Sequence, residues 1–264
     1  MAKRQAEWFK DSDFWKEYAP IMFDDAHWAE VQTVADGVIR LARFNLYDMP
    51  CAPSLSSGPR ILDMCCGIGR ISSELARRDC MVTGVDITQN FLETAREEAA
   101  LDKLKIEYVH SDARKFRRPD YFDLALNLYI SFGYFENEDD DLLVLRNICD
   151  SLKNGRAFII ETLGKEIAVR DFTESEWFER AGWTVLTEYE VFDSWTRLKN
   201  RWILVKDGRR IEKVFTQRLY AASELRDLLY EAGFAEVEIY GDWDESPYDQ
   251  NAAKLIAVGR KGEK

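Results

Sequence analysis

The sequence predicts an α/β fold built on a doubly wound parallel sheet, and three observations support this prediction. Two glycines, Gly67 and Gly69, form a turn between an apolar strand and a helix, and a second apolar strand closes at Asp86. Strand-like and helix-like segments then alternate along the chain. The segment 121–129 is apolar at almost every position, as expected for a central strand that is covered on both faces.

The glycine turn predicts a nucleotide-type ligand without phosphates. Glycines at 67 and 69 permit backbone dihedrals closed to other residues and let a ligand approach the main chain. Asp86, at the tip of the second strand, is placed to accept hydrogen bonds from both hydroxyls of a ribose. A dinucleotide site would carry a third glycine where this chain has Ser72, and Asp63 would repel a pyrophosphate. Asp63 would instead pair with an amino group, so the expected ligand has an adenosine end and a cationic amino-acid end.

The arrangement Asp63-x-x-x-Gly67-x-Gly69 with Asp86 resembles the class I methyltransferases that use S-adenosylmethionine. It is most similar to the small-molecule branch, the amino-sugar and glycine N-methyltransferases, whose turn reads Asp-Leu-Cys-Cys-Gly-Thr-Gly-Arg. The resemblance runs from about residue 14 to about residue 260. It implies a Rossmann-like, seven-stranded sheet, with S-adenosyl-L-methionine as cofactor and S-adenosyl-L-homocysteine as product. Cys65 stands where most of these enzymes have a glycine, and we expect extended backbone there.

Composition and strand patterns divide the chain further. Residues 49–59 are rich in Pro and Ser, which is typical of a linker, and they follow two predicted helices over about 4–18 and 24–47. Three antiparallel strands with an Asp207-Gly208 hairpin turn predict a small sheet. The predicted domains are a helical cap or lid at 1–50, a cofactor-binding domain at 58–162 and 220–264, and a β insertion at 163–219 over the active site.

The resemblance implies a set of cofactor-binding residues, carried over position by position. Asp63 would hold the methionine end, Asp86 the ribose and Asp112 the adenine amino group. Alternatives remain for some members: a turn-forming role for Asp112, core packing for Phe91 and helix packing for Trp15. The predicted set is Asp63, Cys65, Gly67, Gly69, Asp86, Ile87, Phe91, Ser111, Asp112, Ala113, Asn127 and Trp15.

The predicted catalytic positions follow the fourth strand. Residues 127–134 resemble the Phe-Ser-Ser-Ile-Gly-Tyr segment of amino-sugar N-methyltransferases, and ligands bind outside the carboxyl ends of parallel strands. We expect Tyr129, Ser131 and Tyr134 beside the transferred methyl group. Tyr18 of the lid would join them, helix packing being the alternative. Glu161, at the end of the fifth strand, is either a base or a structural residue.

Substrate-binding residues are expected on the insertion and on a late loop. Arg201 and Arg218 would hold a substrate carboxylate bidentately if they face inward, whereas outward they would only solvate a strand face. Trp243 would either line the pocket or anchor its loop.

The amino-acid composition limits the kinds of ligand and partner that the protein is expected to bind. A net charge of −12 argues against nucleic acid, whose phosphates require a basic surface. Five cysteines without a C-x-x-C pair, together with two histidines, indicate no metal site or disulfide framework. No segment has the length of a membrane span or the core of a signal peptide, so a cytoplasmic location is expected. The oligomeric state, monomer or homodimer, stays open.

The sequence therefore predicts a methyltransferase acting on a small polar acceptor. An amine is favoured because a hydroxyl acceptor calls for a general base and histidine is scarce. The alternatives are an O-methyltransferase, a tRNA or protein methyltransferase, and a non-catalytic regulatory subunit that binds the cofactor. The identity of the acceptor and the number of methyl transfers stay open.

Overall fold

A computed structural model describes residues 7–43 and 58–263, and this part of the chain contains eleven strands and eight α-helices. The strands are β1 (Arg60–Met64), β2 (Met81–Asp86), β3 (Glu107–His110), β4 (Phe122–Asn127), β5 (Leu152–Thr162), β6 (Ser175–Arg180), β7 (Trp183–Phe192), β8 (Arg197–Lys206), β9 (Arg209–Arg218), β10 (Phe234–Tyr240) and β11 (Leu255–Lys261). The helices are α1 (Ser12–Met22), α2 (Asp25–Ala29), α3 (Val31–Leu41), α4 (Arg70–Arg77), α5 (Gln89–Leu101), α6 (Glu138–Ser151), α7 (Lys165–Arg170) and α8 (Ala222–Ala232).

Seven strands form one twisted sheet in the order β10-β11-β5-β4-β1-β2-β3. Strands β1 to β5 run parallel to one another, and β11 runs antiparallel between β5 and β10. The predicted doubly wound, seven-stranded sheet is thus confirmed. The chain leaves β1 toward β2 and later returns to its other side as β4, so the order reverses between β1 and β4. Ligands of open α/β sheets bind at the carboxyl ends of the strands at such a reversal.

Two apolar layers hold the helices on the faces of this sheet. On one face Leu62 and Phe122 pack with residues of α6 and α8, including Leu145 and Leu229. On the other face Ile61 and Leu124 pack with α3 and α4. The central strands are therefore covered on both sides, which is why four of the six residues of β4 are apolar and all six are buried.

The four-stranded sheet β6-β7-β8-β9 is antiparallel, as the insertion was predicted to be. Asp207 and Gly208 both have positive φ, +51° and +76°, as a tight hairpin requires. Strand β6 was not predicted, because its charged and aromatic residues do not alternate cleanly between polar and apolar. The inner face of the sheet packs on α1, where Val185 and Leu204 contact the side chain of Tyr18.

The N-terminal region is more broken than predicted. A short 3₁₀ turn at Trp8–Lys10 precedes α1, whose N-terminus is capped by the Asp11 carboxylate accepting from the Phe14 N–H at 3.0 Å. The second predicted helix is divided at Glu30 into α2 and α3. Its predicted C-terminal end, and nearly all of the linker, lie outside the described residues. None of the helices in the described ranges combines the length and apolarity needed to cross a membrane.

Two other helices begin where a local hydrogen bond satisfies a main-chain N–H at the N-terminus. Helix α6 begins at Glu138 because the Asn137 side chain accepts the Asp139 N–H at 3.2 Å. The acidic residues of its first turn also stabilise the helix, because their negative charges lie at the positive end of the helix dipole. Helix α8 begins at Ala222. Here the Glu224 carboxylate accepts the Ala221 N–H at 2.8 Å.

Candidate active site

A cavity of about 820 Å³ lies at the carboxyl ends of the central strands. The large sheet forms its floor, while α1, α2 and the inner face of the small sheet form its walls. Eleven of the twelve predicted cofactor residues line it, and so do Tyr18, Tyr129, Ser131 and Tyr134. Gly69 does not line it. Its Cα faces Tyr108 on the other side of the turn, where an added Cβ would clash with the phenol oxygen.

The glycine turn is tighter than predicted. Cys65 has φ +62°, in the left-handed region, so the expected extended backbone at this position is wrong. The turn closes through the Cys66 N–H donating to Val85 O and the Gly69 N–H donating to Cys66 O, both at 3.0 Å. These two hydrogen bonds fix the turn so that Cys65 adopts the left-handed conformation, which costs a non-glycine residue about 1–3 kcal/mol of backbone strain. Burial also raises the pKa of its thiol, which keeps that thiol protonated and unreactive.

Asp86 is fixed at the end of β2 by main-chain donors. Its Oδ2 accepts the Gly67 N–H at 2.9 Å and its Oδ1 accepts the Thr88 N–H at 2.8 Å. Burial raises the pKa of Asp86, and these two hydrogen bonds act in the opposite direction. Each carboxylate oxygen keeps a second lone pair. The residue can therefore accept two hydroxyl groups without giving up its own anchors.

Asp63 lies buried at the end of β1 beside the turn. Ser72 Oγ donates to its Oδ2 at 2.6 Å, which explains a serine at the position where dinucleotide sites carry glycine. Burial is the main cause that raises the pKa of Asp63 to about 6, and the nearby charge of Asp86 adds to it. The Ser72 hydrogen bond and the charge of Arg70 oppose this rise. When ionised, such a carboxylate favours a cationic partner.

Asn127 and Asp112 complete the polar floor. Asn127 Nδ2 donates to the main-chain oxygens of Met64 at 3.2 Å and Ser131 at 3.4 Å, while its buried Oδ1 has no hydrogen-bond partner. The Asp112 carboxylate is gripped by Arg114, whose Nε donates to Oδ1 at 3.0 Å and whose Nη2 donates to Oδ2 at 2.6 Å. Burial alone would raise the pKa of Asp112, but Arg114 holds it below its ordinary value. Any contact of Asp112 with a ligand must share that carboxylate with Arg114.

The lid contributes aromatic side chains, and two of them are already hydrogen-bonded. The Tyr18 hydroxyl donates to Trp202 O at 2.8 Å, and its ring stacks on Phe14 with 4.5 Å between centroids. Trp15 Nε1 donates to Phe9 O at 2.6 Å, and its ring meets that of Phe91 edge-on. The Tyr18 side chain is therefore fully buried, and its hydroxyl connects α1 to the insertion.

Three predicted substrate residues lie outside the cavity, which corrects the expectation that they would line it. Arg201 faces outward and pairs with Glu188 at 2.8 Å and Glu212 at 2.7 Å. Arg218 is buried against Asp141 at 3.3 Å. Trp243 packs against α3 beside Gly37.

The alternation of side chains along β8 and β9 explains why Arg201 and Arg218 do not line the cavity. Successive side chains of a strand point to opposite faces, so Arg201 lies opposite its neighbours Asn200 and Trp202. Those two, with Phe215 and Gln217 of β9, line the cavity and were missed. Only the register of β8 and β9 could have identified these four residues as cavity residues, since amide and aromatic side chains on a strand form no recognisable sequence motif.

Arg70 was also missed as a cavity residue. It directly follows Gly69 in the turn sequence, which was the available signal. Its guanidinium lies 4.5 Å from the centre of the Tyr129 ring and 5.3 Å from that of Phe23, and it donates to His27 O. Burial lowers its pKa. Within the described ranges, no group of three or more His, Cys, Asp or Glu side chains is arranged to hold a metal ion.

Comparison with known proteins agrees with this geometry. A family described as "Methyltransferase domain" matches residues 61–155. A Geobacillus sp. (strain WCH70) protein named as a methyltransferase is 23% identical over 216 residues, which cover 76% of this chain and 84% of that protein. The ubiquinone biosynthesis O-methyltransferase of Ruegeria pomeroyi is 34% identical over 110 residues, covering 41% of this chain and 43% of that enzyme.

Solved structures match over nearly the whole chain. An S-adenosylmethionine-dependent methyltransferase from Clostridium acetobutylicum has a TM-score of 0.73 at 16% identity and covers 97% of this chain and 99% of its own. Residues 61–155 thus match a methyltransferase domain, and the chain has the fold of S-adenosylmethionine-dependent methyltransferases. The methyltransferase also resembles CalS10, an amino pentose methyltransferase from Micromonospora echinaspora solved with S-adenosylmethionine bound, with a TM-score of 0.65 at 18% identity over 94% and 97% of the two chains. At such identities the structural likeness establishes the fold.

Proposed function

We propose that this methyltransferase transfers the methyl group to an amine of a small polar acceptor. The observation that carries the proposal is the charge of the cavity wall. Seven carboxylates line it: Glu30, Asp63, Asp86, Asp112, Glu161, Asp171 and Glu176. Lysine and arginine contribute three side chains, Arg70, Arg180 and Lys254. Such a wall favours cations and repels an anionic acceptor.

The described residues fit S-adenosylmethionine. Asp86 keeps lone pairs for a ribose diol, Asp63 suits an ammonium group, and the unpaired Asn127 Oδ1 offers a further buried acceptor. When bound, the cofactor supplies a methyl group already activated by its sulfonium. The protein's own contribution is to fix the turn backbone and the carboxylates, and positioning of this kind can supply much of a rate enhancement.

The acceptor end of the cavity is lined by aromatic side chains. Trp8 stacks on Phe215 with 4.5 Å between ring centroids and meets the Tyr134 ring edge-on at 4.7 Å. Aromatic faces attract cations and exclude water. His27, the histidine on the cavity wall, has its Nδ1 2.5 Å from Asp24 Oδ1. A neutral amine attacks through its lone pair and releases its proton afterwards, so it suits this end better than a hydroxyl.

The insertion would select the acceptor through buried amides. Asn200 Nδ2 donates to Leu198 O at 3.2 Å and Gln217 Nε2 donates to Phe132 O at 3.3 Å. Both amide groups are therefore oriented by the main chain, and both residues line the cavity. Their carbonyl oxygens would accept N–H or O–H donors of a polar acceptor. With the lid of residues 7–43, this sheet would enclose the reaction.

O-methylation is the second candidate, favoured by the Ruegeria pomeroyi enzyme's name. The matched 110 residues cover less than half of either chain, a length similar to that of the cofactor-binding unit. Of the residues described above for the acceptor end, Asn200 lies on β8, and Phe215 and Gln217 lie on β9. Similarity of that extent therefore supports the cofactor and leaves the acceptor atom to be tested.

The test is calorimetry followed by turnover. We expect purified protein to bind S-adenosylhomocysteine, and S-adenosylmethionine to be consumed with a panel of small polyhydroxylated amines, giving N-methyl products by mass spectrometry. The matched panel replaces each amino group by a hydroxyl. Methylation confined to the hydroxyl series would overturn the amine proposal. Binding without turnover of any small acceptor would favour the non-catalytic or macromolecular alternatives, and absence of binding would overturn the cofactor site itself.

A further inference from the structure

The loop after β4 holds two consecutive non-glycine residues in the left-handed region. Tyr129 has φ +55° and Ile130 has φ +59°, and Gly133 follows at φ +82°. For Ile130 in particular, a β-branched residue, this conformation is rare. Strain of this kind persists where surrounding contacts over-determine it, and such places are commonly ligand sites.

One residue on the neighbouring strand holds both strained positions. The Tyr129 N–H donates to Glu161 Oε2 at 2.6 Å, and the Ile130 N–H donates to the Glu161 main-chain oxygen at 3.3 Å. Glu161 lies near the end of β5, directly after Ile160, which is in register with Asn127 at the end of β4. Its side chain and its backbone therefore fasten the first turn of the loop to the sheet.

The same loop forms a wall of the cavity. Tyr129, Ser131 and Tyr134 all line it. The far end of the loop is fastened separately, because the Arg218 N–H at the end of β9 donates to Gly133 O at 2.7 Å. Glu161 at one end and the insertion at the other thus determine where these three side chains stand.

The contacts of Glu161 argue against its acting as a base. Oε2 accepts a main-chain N–H, and Oε1 lies 3.7 Å from Lys254 Nζ. Burial raises the pKa of the carboxyl group, with Lys254 and the Tyr129 N–H opposing the rise. A carboxylate with these partners stabilises a backbone conformation, and a carbonyl oxygen of the same shape could accept the same N–H.

We propose that Glu161 is a positioning residue that holds the wall of residues 129–134 in its strained conformation, and that it does not remove the acceptor's proton. This inference rests on the proposed function insofar as that wall faces cofactor and acceptor. The geometric part, the clamp on Tyr129 and Ile130, stands without it.

The experiment compares Glu161→Gln with Glu161→Ala in the full chain. The glutamine variant keeps an oxygen for the Tyr129 N–H but has no basic carboxylate, whereas the alanine variant loses both. We expect amide hydrogen exchange of the 127–135 peptide to rise at least about tenfold in Glu161→Ala and to change less than about threefold in Glu161→Gln. Calorimetry with S-adenosylhomocysteine should follow the same order.

The control is Glu166→Ala. Glu166 Oε1 accepts the Ala222 N–H at 3.1 Å, so it is also a carboxylate bound to the main chain, but it does not line the cavity. We expect its removal to leave exchange of the 127–135 peptide and S-adenosylhomocysteine affinity unchanged. A thermal melt of each variant identifies any that fails to fold, in which case Glu161→Gln decides the question alone.

Turnover separates positioning from proton removal. With any amine that supports the reaction, Glu161→Gln should keep kcat within about fivefold of the wild type, whereas loss of a general base costs about 10²–10⁴-fold. Equal losses in the glutamine and alanine variants would overturn the proposal, as would unchanged exchange in Glu161→Ala. If the wild type binds no S-adenosylhomocysteine, the proposed function fails, and hydrogen exchange still tests the clamp.

Discussion

The two halves of the cavity are built in different ways. On the side predicted to hold the cofactor, Asp63, Asp86 and Asp112 each stand at or just after the end of a strand, within about fifty residues, and main-chain or nearby side-chain donors fix all three. On the acceptor side the Tyr18 hydroxyl reaches the carbonyl of Trp202, which is 184 residues away in the chain. The first half is determined by local backbone geometry, and the second by the docking of distant segments.

The difference extends to how each half is held. The cofactor side lies on the large sheet, whose central strands are buried on both faces. The lid is held to the insertion by aromatic contacts and by ion pairs of Asp11 with Lys213, Glu17 with Arg209 and Asp24 with Arg180. Ion pairs that are partly exposed contribute about 0–1 kcal/mol each. The aromatic contacts of α1 and the apolar packing of α3 on the large sheet therefore contribute more to holding residues 7–43 than these ion pairs do.

The largest effect is expected from Asp86→Ala on the cofactor side. It removes the acceptor for a ribose diol and leaves the Gly67 and Thr88 N–H groups without their partner. Hydrogen bonds to a charged group contribute about 1.5–3 kcal/mol each, so S-adenosylhomocysteine affinity should fall by about 100-fold or more in calorimetry. Asp102→Ala is the control, because that exposed acid pairs with Arg77 away from the cavity. A loss below about threefold in Asp86→Ala would contradict the assigned role.

The junction between the halves is tested by two glycines of similar φ. An added Cβ at Gly133, φ +82°, would lie 2.5 Å from the carbonyl oxygen of Arg218, whereas at Gly208, φ +76°, it meets no atom within 4 Å. Both alanine variants carry the left-handed cost of about 1–2 kcal/mol. Gly133→Ala adds the clash and should lower the free energy of unfolding in urea by about 1–3 kcal/mol more than Gly208→Ala. Equal values for the two variants would show that the loop and β9 separate without cost.

The pH dependence of cofactor binding tests Asp63. Its raised pKa of about 6 means that the free protein carries a protonated, neutral Asp63 below that pH. Only the ionised form pairs with an ammonium group, so S-adenosylhomocysteine affinity should be greatest above pH 6 and fall up to about tenfold per pH unit below it. Asp63→Asn should bind more weakly and lose this step in a calorimetric pH series. A step that survives in Asp63→Asn would assign the titration to another group.

The same shift affects stability with the opposite sign. Because the folded-state pKa lies above the ordinary value of 3.8, the folded protein binds this proton more tightly than the unfolded chain does. The contribution of Asp63 to the free energy of unfolding is therefore present at low pH and is lost as the pH rises from 3.8 to about 6. Urea unfolding of Asp63→Asn against the wild type across that range measures it.

The smallest effect is expected from Arg201→Ala on the outer face of the insertion. Its pairs with Glu188 and Glu212 are exposed, so their loss should leave the midpoint of urea unfolding nearly unchanged. S-adenosylhomocysteine affinity and turnover should stay unchanged, because the side chain lies outside the cavity. A clear loss of turnover would restore Arg201 as an acceptor ligand and place the insertion differently.

Much of the cofactor half could be predicted from the sequence alone. Asp63, the two glycines and Asp86 follow from the order strand, turn, helix, strand, because parallel strands bring their carboxyl ends to one edge regardless of what surrounds them. Even there the backbone of Cys65 was predicted wrongly. Its left-handed φ results from two hydrogen bonds that close the turn, one of them to β2, and the residue type does not reveal those bonds.

The acceptor half was decided by tertiary structure. Arg201 and Arg218 were predicted to bind an anionic group of the substrate. The register of β8 instead directs Arg201 outward, and Arg218 pairs with Asp141 of α6. The sequence of a strand shows which residues share a face. It does not show which of the two faces packs against the N-terminal helices. The sequence by itself determined the fold and the cofactor floor, since both depend on local backbone geometry and apolar periodicity. The packing of α1 against the small sheet determined which side chains line the acceptor side of the cavity. These segments are distant in the sequence, so the aromatic surface that they bury against each other depends on the fold of the whole chain.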